Sequence, residues 1–253
     1  MVVMLALIAQ AIVPLPPGLL FPVSMGRLRE ARMASQAVHD LESKRWFLDV
    51  EIGGRIGLFR LTGLSLQLDA EAAVLARLDL EHNRDLLSGD FLGGFVFSYA
   101  QKDFALKLEY RHVSSHLIDE YFGQVPEARS NKYSRDAVIL GGTAPFLDVL
   151  RAYFEVGYGF VVRGAARPKH VAAGIELSPA EAKLLPFAAL HFELSDDSGL
   201  RPQGIAMAGA QWRFEERDRR ARVGFVGSLG PSRQLQFLPA RETNIGLGVW
   251  FDF

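Results

Sequence analysis

Apolar and polar residues alternate with a period of two along stretches of this chain that are too long for an ordinary soluble strand. From Leu64 to Leu80 every even position is apolar, and the odd positions are mainly polar or charged. A helix would place its apolar residues three and four apart, and a soluble strand averages about five or six residues. Similar alternation recurs in segments 46–58, 91–99, 104–111, 154–162, 188–195, 208–214, 223–229 and 245–253. The pattern therefore predicts long β-strands with one apolar face.

Charged residues of both signs occupy the polar face in the middle of these segments. They include Asp49, Glu51, Arg55, Glu71, Arg111, Glu155, Glu176, Glu193, Arg213 and Arg222. Such a face has to be wet or ion-paired. The mixture of signs predicts a lumen closed by salt bridges and hydrogen bonds, because a selective pore more often shows a bias to one sign.

The predicted connections alternate between short and long. Segments 101–103, 147–149 and 216–218 read as tight turns, whereas 81–88, 117–134 and 230–241 are longer and polar. Short periplasmic turns and longer extracellular loops are typical of outer-membrane barrels. Eleven strands are evident after residue 45, and a weaker one lies near 32–39. We therefore predict an all-β fold, a closed antiparallel transmembrane β-barrel of about 12 strands over residues 32–253, in the bacterial outer membrane.

Composition excludes several classes of function. The chain has no cysteine, which excludes disulfide scaffolds, thiol nucleophiles and cysteine-ligated metal sites. Its formal net charge of −1 lacks the basic footprint of a nucleic-acid-binding protein. Beyond the extreme N-terminus no apolar run is long enough for a membrane helix.

The first residues read as an export signal. An apolar run reaches the A-x-A pattern Ala9-Gln10-Ala11, which predicts a signal peptide over residues 1–11. A short buried strand or helix is the alternative. The proline-rich stretch from Pro14 to Gly18 cannot continue a helix, so we interpret residues 12–31 as an N-terminal linker.

Two segments resemble known proteins. The final strand, 244–253, alternates and ends in Phe253, which resembles the C-terminal signal that the barrel-assembly machinery recognises. The segment YRHVSSHLIDE at 110–120, together with segment 32–38 and the closing strand, resembles an uncharacterised bacterial family, domain of unknown function 1207. The C-terminal signal implies a location and no activity, and the resemblance to the uncharacterised family supplies no mechanism.

One pair of residues on the barrel could carry chemistry. The apolar parity that includes Tyr110 continues into His112, Ser114 and His116, so these side chains are predicted to face lipid near the outer-leaflet headgroups. Residues two apart on a strand lie on one face, about 6 to 7 Å apart. An imidazole nitrogen at this spacing can reach a serine hydroxyl, the pairing that a base-activated nucleophile requires.

The His-x-Ser pair is similar to that of outer-membrane phospholipase A and of the lipid A deacylase barrels. This resemblance implies His112 as general base and Ser114 as nucleophile, with membrane lipids or lipopolysaccharide as substrate. Asn131, or else Asp119 or Glu120, would orient the histidine. The phospholipase motif continues with Asn-Gly, whereas Ser115 and His116 follow here, which leaves the oxyanion-stabilising surroundings in doubt.

Other interpretations stay open at this point. Polar residues are normal at the rim of a barrel, just beyond an aromatic residue such as Tyr110. His112, His116 and Asp119 could ligate a divalent metal, although their spacing is loose. We expect no resident cofactor. The loop acids Asp119, Glu120, Asp196 and Asp197 could bind calcium, although they also fit solvated loop tips. The competing function is a non-enzymatic barrel with an envelope-structural or narrow-channel role.

Overall fold

The protein is a closed β-barrel of antiparallel strands. The computed structural model describes residues 12–147, 149–177, 184–214 and 219–252. Its elements are β1 (Ile12–Pro14), β2 (Met33–Asp40), β3 (Arg45–Leu61), β4 (Leu66–Asp79), β5 (Asp85–Gln101), β6 (Phe104–Leu117), α1 (Asp119–Gln124), β7 (Ser134–Leu147), β8 (Leu150–Arg163), β9 (Lys169–Leu177), β10 (Leu184–Ser195), β11 (Gln203–Phe214), β12 (Arg219–Pro231) and β13 (Arg241–Asp252). The predicted signal peptide, residues 1–11, and Phe253 lie outside the described residues.

Twelve strands close the barrel. Each strand from β2 to β13 pairs antiparallel with its neighbour in the sequence, and β13 pairs with β2 to complete the ring. The strand count and topology confirm the predicted fold. The remaining strand, β1, adds three residues to the edge of β3, where Ile12 lies opposite Leu61. No helix among the described residues is long and apolar enough to cross a membrane.

The dyad pattern sorts side chains as the sequence predicts. On β6, Leu106 and Leu108 are exposed on the outside, whereas Lys107 and Glu109 are buried in the lumen. The same division holds on β13, where Leu247 and Val249 are each more than half exposed and Trp250 is buried. The outer surface is therefore an apolar belt around a polar interior, as lipid requires.

Residues 15–32, here called the plug, lead from the wall into the lumen. After β1 the chain turns inward at Pro16, whose ring occupies the space that a side chain at Gly57 would fill. It then runs through the interior, where Phe21, Met25 and Leu28 are buried, and rejoins the wall at β2. The segment that we interpreted as a linker is thus packed within the barrel, because its charged residues find partners on the lumen wall.

The connection between β12 and β13 also enters the barrel. Ser232, Arg233, Gln234, Leu235 and Gln236 of this loop are all buried. We call residues 232–240 the inward loop. It touches the plug where Arg29 Nη2 donates to the Arg233 carbonyl oxygen over 3.3 Å. Plug and inward loop together fill the lumen that the wall encloses.

The apolar core lies between the plug and the wall. Met25 and Leu28 of the plug belong to one cluster with Phe187 of β10 and Trp250 of β13. The rings of Phe187 and Trp250 meet nearly edge-on, with centroids 6.1 Å apart. The plug is therefore held by hydrophobic contacts as well as by charge.

Candidate functional site

Strand β6 presents the predicted histidine and serine to the outside of the barrel. Its pairing with β5 and with β7 contains no bulge, so the outward parity of Tyr110 continues to His112 and Ser114. The His112 side chain is 43% exposed. Ser115 has the opposite parity, is buried, and donates its hydroxyl hydrogen to Asp90 in the lumen. The outward position of both predicted residues follows directly from this register.

An aspartate on the neighbouring strand holds the histidine. Asp136 of β7 lies directly opposite His112 in the sheet, and its Oδ1 is 2.8 Å from His112 Nδ1. The Tyr110 hydroxyl donates to the same oxygen over 2.9 Å. A carboxylate at Nδ1 favours the tautomer that carries its proton there, which leaves Nε2 as a proton acceptor.

The Ser114 hydroxyl is outward-facing but not engaged. Among the described residues it makes no hydrogen bond, to His112 or to any other group. A base-activated serine would need contact with His112 Nε2, and such contacts are often loose before substrate binds. The surface therefore contains an oriented histidine and a serine on the same face, without the bond that would join them.

The residues predicted to orient His112 lie elsewhere. Asn131 donates from Nδ2 to the Leu235 carbonyl oxygen over 2.7 Å, so it fastens the inward loop. Asp119 and Glu120 are exposed in the first turn of α1. None of the three is bonded to His112 among the described residues, where Asp136 takes that position instead.

Asp136 carries a signal in the sequence that we did not use. It occupies the outward parity of β7, between Ser134 and Val138, so it places a carboxylate on a face that is otherwise apolar. A charge on the lipid-facing side of a barrel is costly unless it is paired. Its cross-strand partner was hidden because the register of β7 depends on the length of the 118–133 loop.

The described residues offer no ready metal centre. No group of three or more His, Asp or Glu side chains within them is arranged to hold a metal ion. Asp197, one of the loop acids considered for calcium, instead accepts hydrogen bonds from Tyr133 over 2.9 Å and from Arg135 over 2.8 Å. Burial raises the pKa of Tyr133 well above its usual range, so its hydroxyl remains a donor to Asp197.

The lumen wall is rich in carboxylates. Among the described strands, twelve of the buried charged residues are acidic and six are basic. The acidic ones are Asp40, Asp49, Glu51, Asp69, Glu71, Asp79, Asp90, Glu109, Glu155, Glu176, Glu242 and Asp252. The basic ones are Arg55, Arg77, Lys107, Arg111, Arg135 and Arg222. The fully buried charges of the wall are therefore mainly acidic, whereas several wall arginines, including Arg60 and Arg151, are only partly buried.

The plug supplies countercharge to this wall. Arg27 Nε lies 2.9 Å from Glu155, and Arg27 Nη2 lies 3.2 Å from Glu109. Arg32 Nε lies 2.9 Å from Glu51. The backbone N–H of Met25 donates to Glu176 over 2.6 Å. The lumen is therefore filled by ion pairs of two kinds, those within the wall, such as Arg77 with Asp49 and Lys107 with Glu155, and those that the plug adds.

Comparison with known proteins shows the fold and the family. No curated protein matches the sequence. The KdgM porin has a similar structure, with a TM-score of 0.51 at 10% identity over 87% of this chain and 98% of the porin; its complex with disordered oligogalacturonate gives the same values. The monoaromatic hydrocarbon channel CymD reaches a TM-score of 0.41 at 8% identity, over 88% of this chain and 79% of CymD. At 10% identity the similarity to the porin shows the outer-membrane-type barrel fold alone. A family model described as a protein of unknown function (DUF1207) matches residues 11–253.

Proposed function

This chain belongs to the DUF1207 family of proteins of unknown function, and from its own geometry we propose that it is a narrow channel of the bacterial outer membrane. In this proposal the plug closes the channel. The observation that carries this proposal is the pairing of plug arginines with wall carboxylates, above all Arg27 with Glu109 and Glu155. In this proposal the C-terminal strand directs the chain to the barrel-assembly machinery.

Energetics favour a channel over a purely structural barrel. Buried ion pairs are on average no more stabilising than well-packed apolar residues of similar volume. A lumen that only had to be filled would gain nothing from twelve buried acidic residues on its strands. A wall that is wet whenever the plug is displaced does need charged side chains, because apolar constrictions exclude water.

Conductance in planar bilayers tests the channel. We expect the natural protein to be closed most of the time, and the variant Arg27→Gln/Arg32→Gln to open more often, because its plug has lost two charged anchors. Arg222→Gln is the matched control, since Arg222 is buried in the lumen but pairs with Asp252 of the wall. Heat-modifiable migration on gels verifies folding. A folded double variant as silent as the natural protein contradicts the proposal.

A disulfide lock gives a second test that leaves every charge in place. A Cβ built on Gly26 of the plug would lie 3.8 Å from the Ala189 Cβ on β10, close to the Cβ separation of a disulfide. It would also lie 2.9 Å from the His191 Cβ, so the plug backbone has to shift slightly to accept the cysteine. The chain contains no other cysteine. Oxidised Gly26→Cys/Ala189→Cys should abolish openings, and reduction should restore them. Openings that persist in the locked protein would show that current does not depend on the plug.

The oriented histidine supports a second candidate function, a lipid acyl hydrolase on the outer surface. The observation that favours it is the 2.8 Å contact between His112 Nδ1 and Asp136, with Ser114 on the same face. In this mechanism His112 takes the Ser114 proton through Nε2, and the serine oxygen attacks an ester carbonyl of phospholipid or lipopolysaccharide. Asp136 stabilises the resulting imidazolium. The ester C–O bond breaks and the alcohol leaves with that proton; water, activated by His112, then hydrolyses the acyl-serine and releases the fatty acid.

Fatty-acid release by the folded protein tests this candidate. Mixed phospholipid and lipopolysaccharide would be supplied with and without calcium, and products followed by mass spectrometry. Ser114→Ala should abolish release and Asp136→Asn should reduce it strongly, whereas Ser115→Ala, which alters the lumen side of the same strand, should not. If no fatty acid is released, His112 and Ser114 are polar residues of the barrel rim.

A further inference from the structure

We propose that the channel conducts cations, and that the carboxylates now occupied by the plug arginines form its cation-binding sites. This inference rests on the proposed channel function and adds its substrate class. It follows from the contacts of the plug, because Arg27 and Arg32 lie against the wall carboxylates Glu109, Glu155 and Glu51. Rings of acidic side chains are the usual basis of cation selectivity in pores.

The first site is the position that the Arg27 guanidinium fills. Arg27 lies between Glu109 of β6 and Glu155 of β8, with Glu30 of the plug 3.4 Å away. Lys107 Nζ contacts both wall glutamates, 2.7 Å from Glu109 and 2.6 Å from Glu155.

Two further charged groups of the wall complete this first site. Arg111 pairs with Glu109 over 2.5 Å and with Glu71 over 2.9 Å. Once Arg27 and Glu30 leave with the plug, three carboxylates face two wall cations. The site is then left with a net negative charge, which attracts a cation from the water that enters the lumen.

The second site lies on β3, where two arginines from outside the wall converge. Glu51 accepts from Arg32 of the plug over 2.9 Å and lies 3.6 Å from Arg233 of the inward loop. Asp49, two residues away, is 3.7 Å from Arg233. Arg32 and Arg233 both belong to segments that run through the lumen and not to strands of the wall. The wall therefore presents carboxylates at two places for guanidinium groups that are not its own.

The geometry also narrows the kind of cation. At both sites an arginine nitrogen donates to a wall carboxylate: Arg27 Nη2 to the two oxygens of Glu109, over 3.2 and 3.4 Å, and Arg32 Nε to Glu51 over 2.9 Å. Only a cation with N–H donors can replace these hydrogen bonds. Guanidinium should therefore compete with the plug arginines better than tetramethylammonium, which has the same charge and no hydrogen-bond donor. The expected ligand class is small cations, with donor-bearing organic cations held longest.

Reversal potentials in a KCl gradient test the inference in the Arg27→Gln/Arg32→Gln channel. We expect a shift toward the potassium equilibrium potential, and we expect guanidinium to block potassium current at lower concentration than tetramethylammonium. Adding Glu109→Gln/Glu155→Gln should move the reversal potential toward zero and weaken guanidinium block. Adding Glu242→Gln, a buried acid paired with the wall residue Arg77, is the matched control and should change both much less.

The outcomes separate this inference from the channel itself. Currents that are anion-selective or unselective, or that guanidinium and tetramethylammonium block equally, overturn cation selectivity and leave the channel standing. If every folded plug variant conducts no current, both the proposed channel function and its cation selectivity are contradicted. Gel migration and the reduced disulfide variant distinguish silence from misfolding.

Discussion

Arg77 shows how much a single buried arginine does in this barrel. Its guanidinium binds Asp49 through two nitrogens, over 2.7 and 2.9 Å, and Glu242 through the third, over 2.7 Å. It also lies over the Phe47 ring, 4.9 Å from the centroid. One side chain on β4 thus joins β3 and β13 across the lumen, with every donor nitrogen used.

Replacement of Arg77 by methionine should therefore be costly. Removing Arg77 leaves Glu242 buried without countercharge and Asp49 with only the more distant Arg233, and such losses amount to about 3–5 kcal/mol. Arg241→Met is the control, because Arg241 and Glu42 form an exposed pair 3.6 Å apart whose loss should cost about 0–1 kcal/mol. Urea titration of folding into vesicles measures both. Equal losses would mean that the Arg77 network contributes little.

At the scale of elements, the inward loop is held by the loop that precedes β7. Asn131 donates to the Leu235 carbonyl oxygen over 2.7 Å, and its own N–H donates to Gln236 Oε1 over 3.1 Å. Gln236 Nε2 in turn donates to the Ser115 carbonyl oxygen over 2.6 Å. A residue predicted to be catalytic thus acts as a clamp between two loops.

Asn131→Ala should release the inward loop without unfolding the barrel. The Leu235 carbonyl and the Tyr133 N–H would each lose the Asn131 side chain as a partner, so the inward loop should loosen and Arg233 should become accessible to trypsin from outside. Limited proteolysis of the protein in vesicles, read by mass spectrometry, should then show cleavage after Arg233. Glu127→Ala, an exposed change in the same loop, is the control and should leave Arg233 protected. Protection retained in Asn131→Ala would show that other contacts hold the loop.

Strands were predictable from this sequence, and the contents of the lumen were not. The alternation of apolar and polar residues identifies β4 and β6, because successive residues of a strand face opposite sides of the sheet. Arg27 and Arg32 carry no such period, and their partners Glu109 and Glu51 are far away in the chain. Likewise His112 and Ser114 followed from the parity of β6, whereas Asp136 depended on the pairing of β6 with β7. Contacts between distant residues can be predicted only when the register of the paired strands is known, and the local sequence pattern does not contain that register.

At the scale of the whole molecule, the exposed apolar belt implies a membrane around the barrel. Phe225 is 71% exposed and Leu247, opposite it on β13, is 56% exposed. Exposed apolar surface of this extent, repeated on every strand pair, is not tolerated by a soluble monomer. The alternative is a soluble barrel whose apolar side chains fill the interior. It is excluded because the interior of this closed ring is polar and the apolar side chains face outward.

A charge in this belt should destabilise the barrel in proportion to its depth. Phe225 lies midway along β12, so Phe225→Arg should cost about 2–4 kcal/mol of folding free energy in bilayers. Phe214, at the end of β11 beside the short-turn rim, is the control, and Phe214→Arg should cost about 0–1 kcal/mol. Folding titrations in vesicles measure both values. Equal costs at the two depths would argue against the membrane position of the belt.

The attachment of β1 has a consequence for how the protein is made. Both β1 and β2 pair with β3, so the plug is a loop fastened at each end rather than a free tail. The segment between these attachments can enter the interior most easily while β13 is still unpaired with β2 and the ring is open. During assembly the last strand would then enclose the plug, and the two attachments would keep it beside the lumen when its interior contacts break.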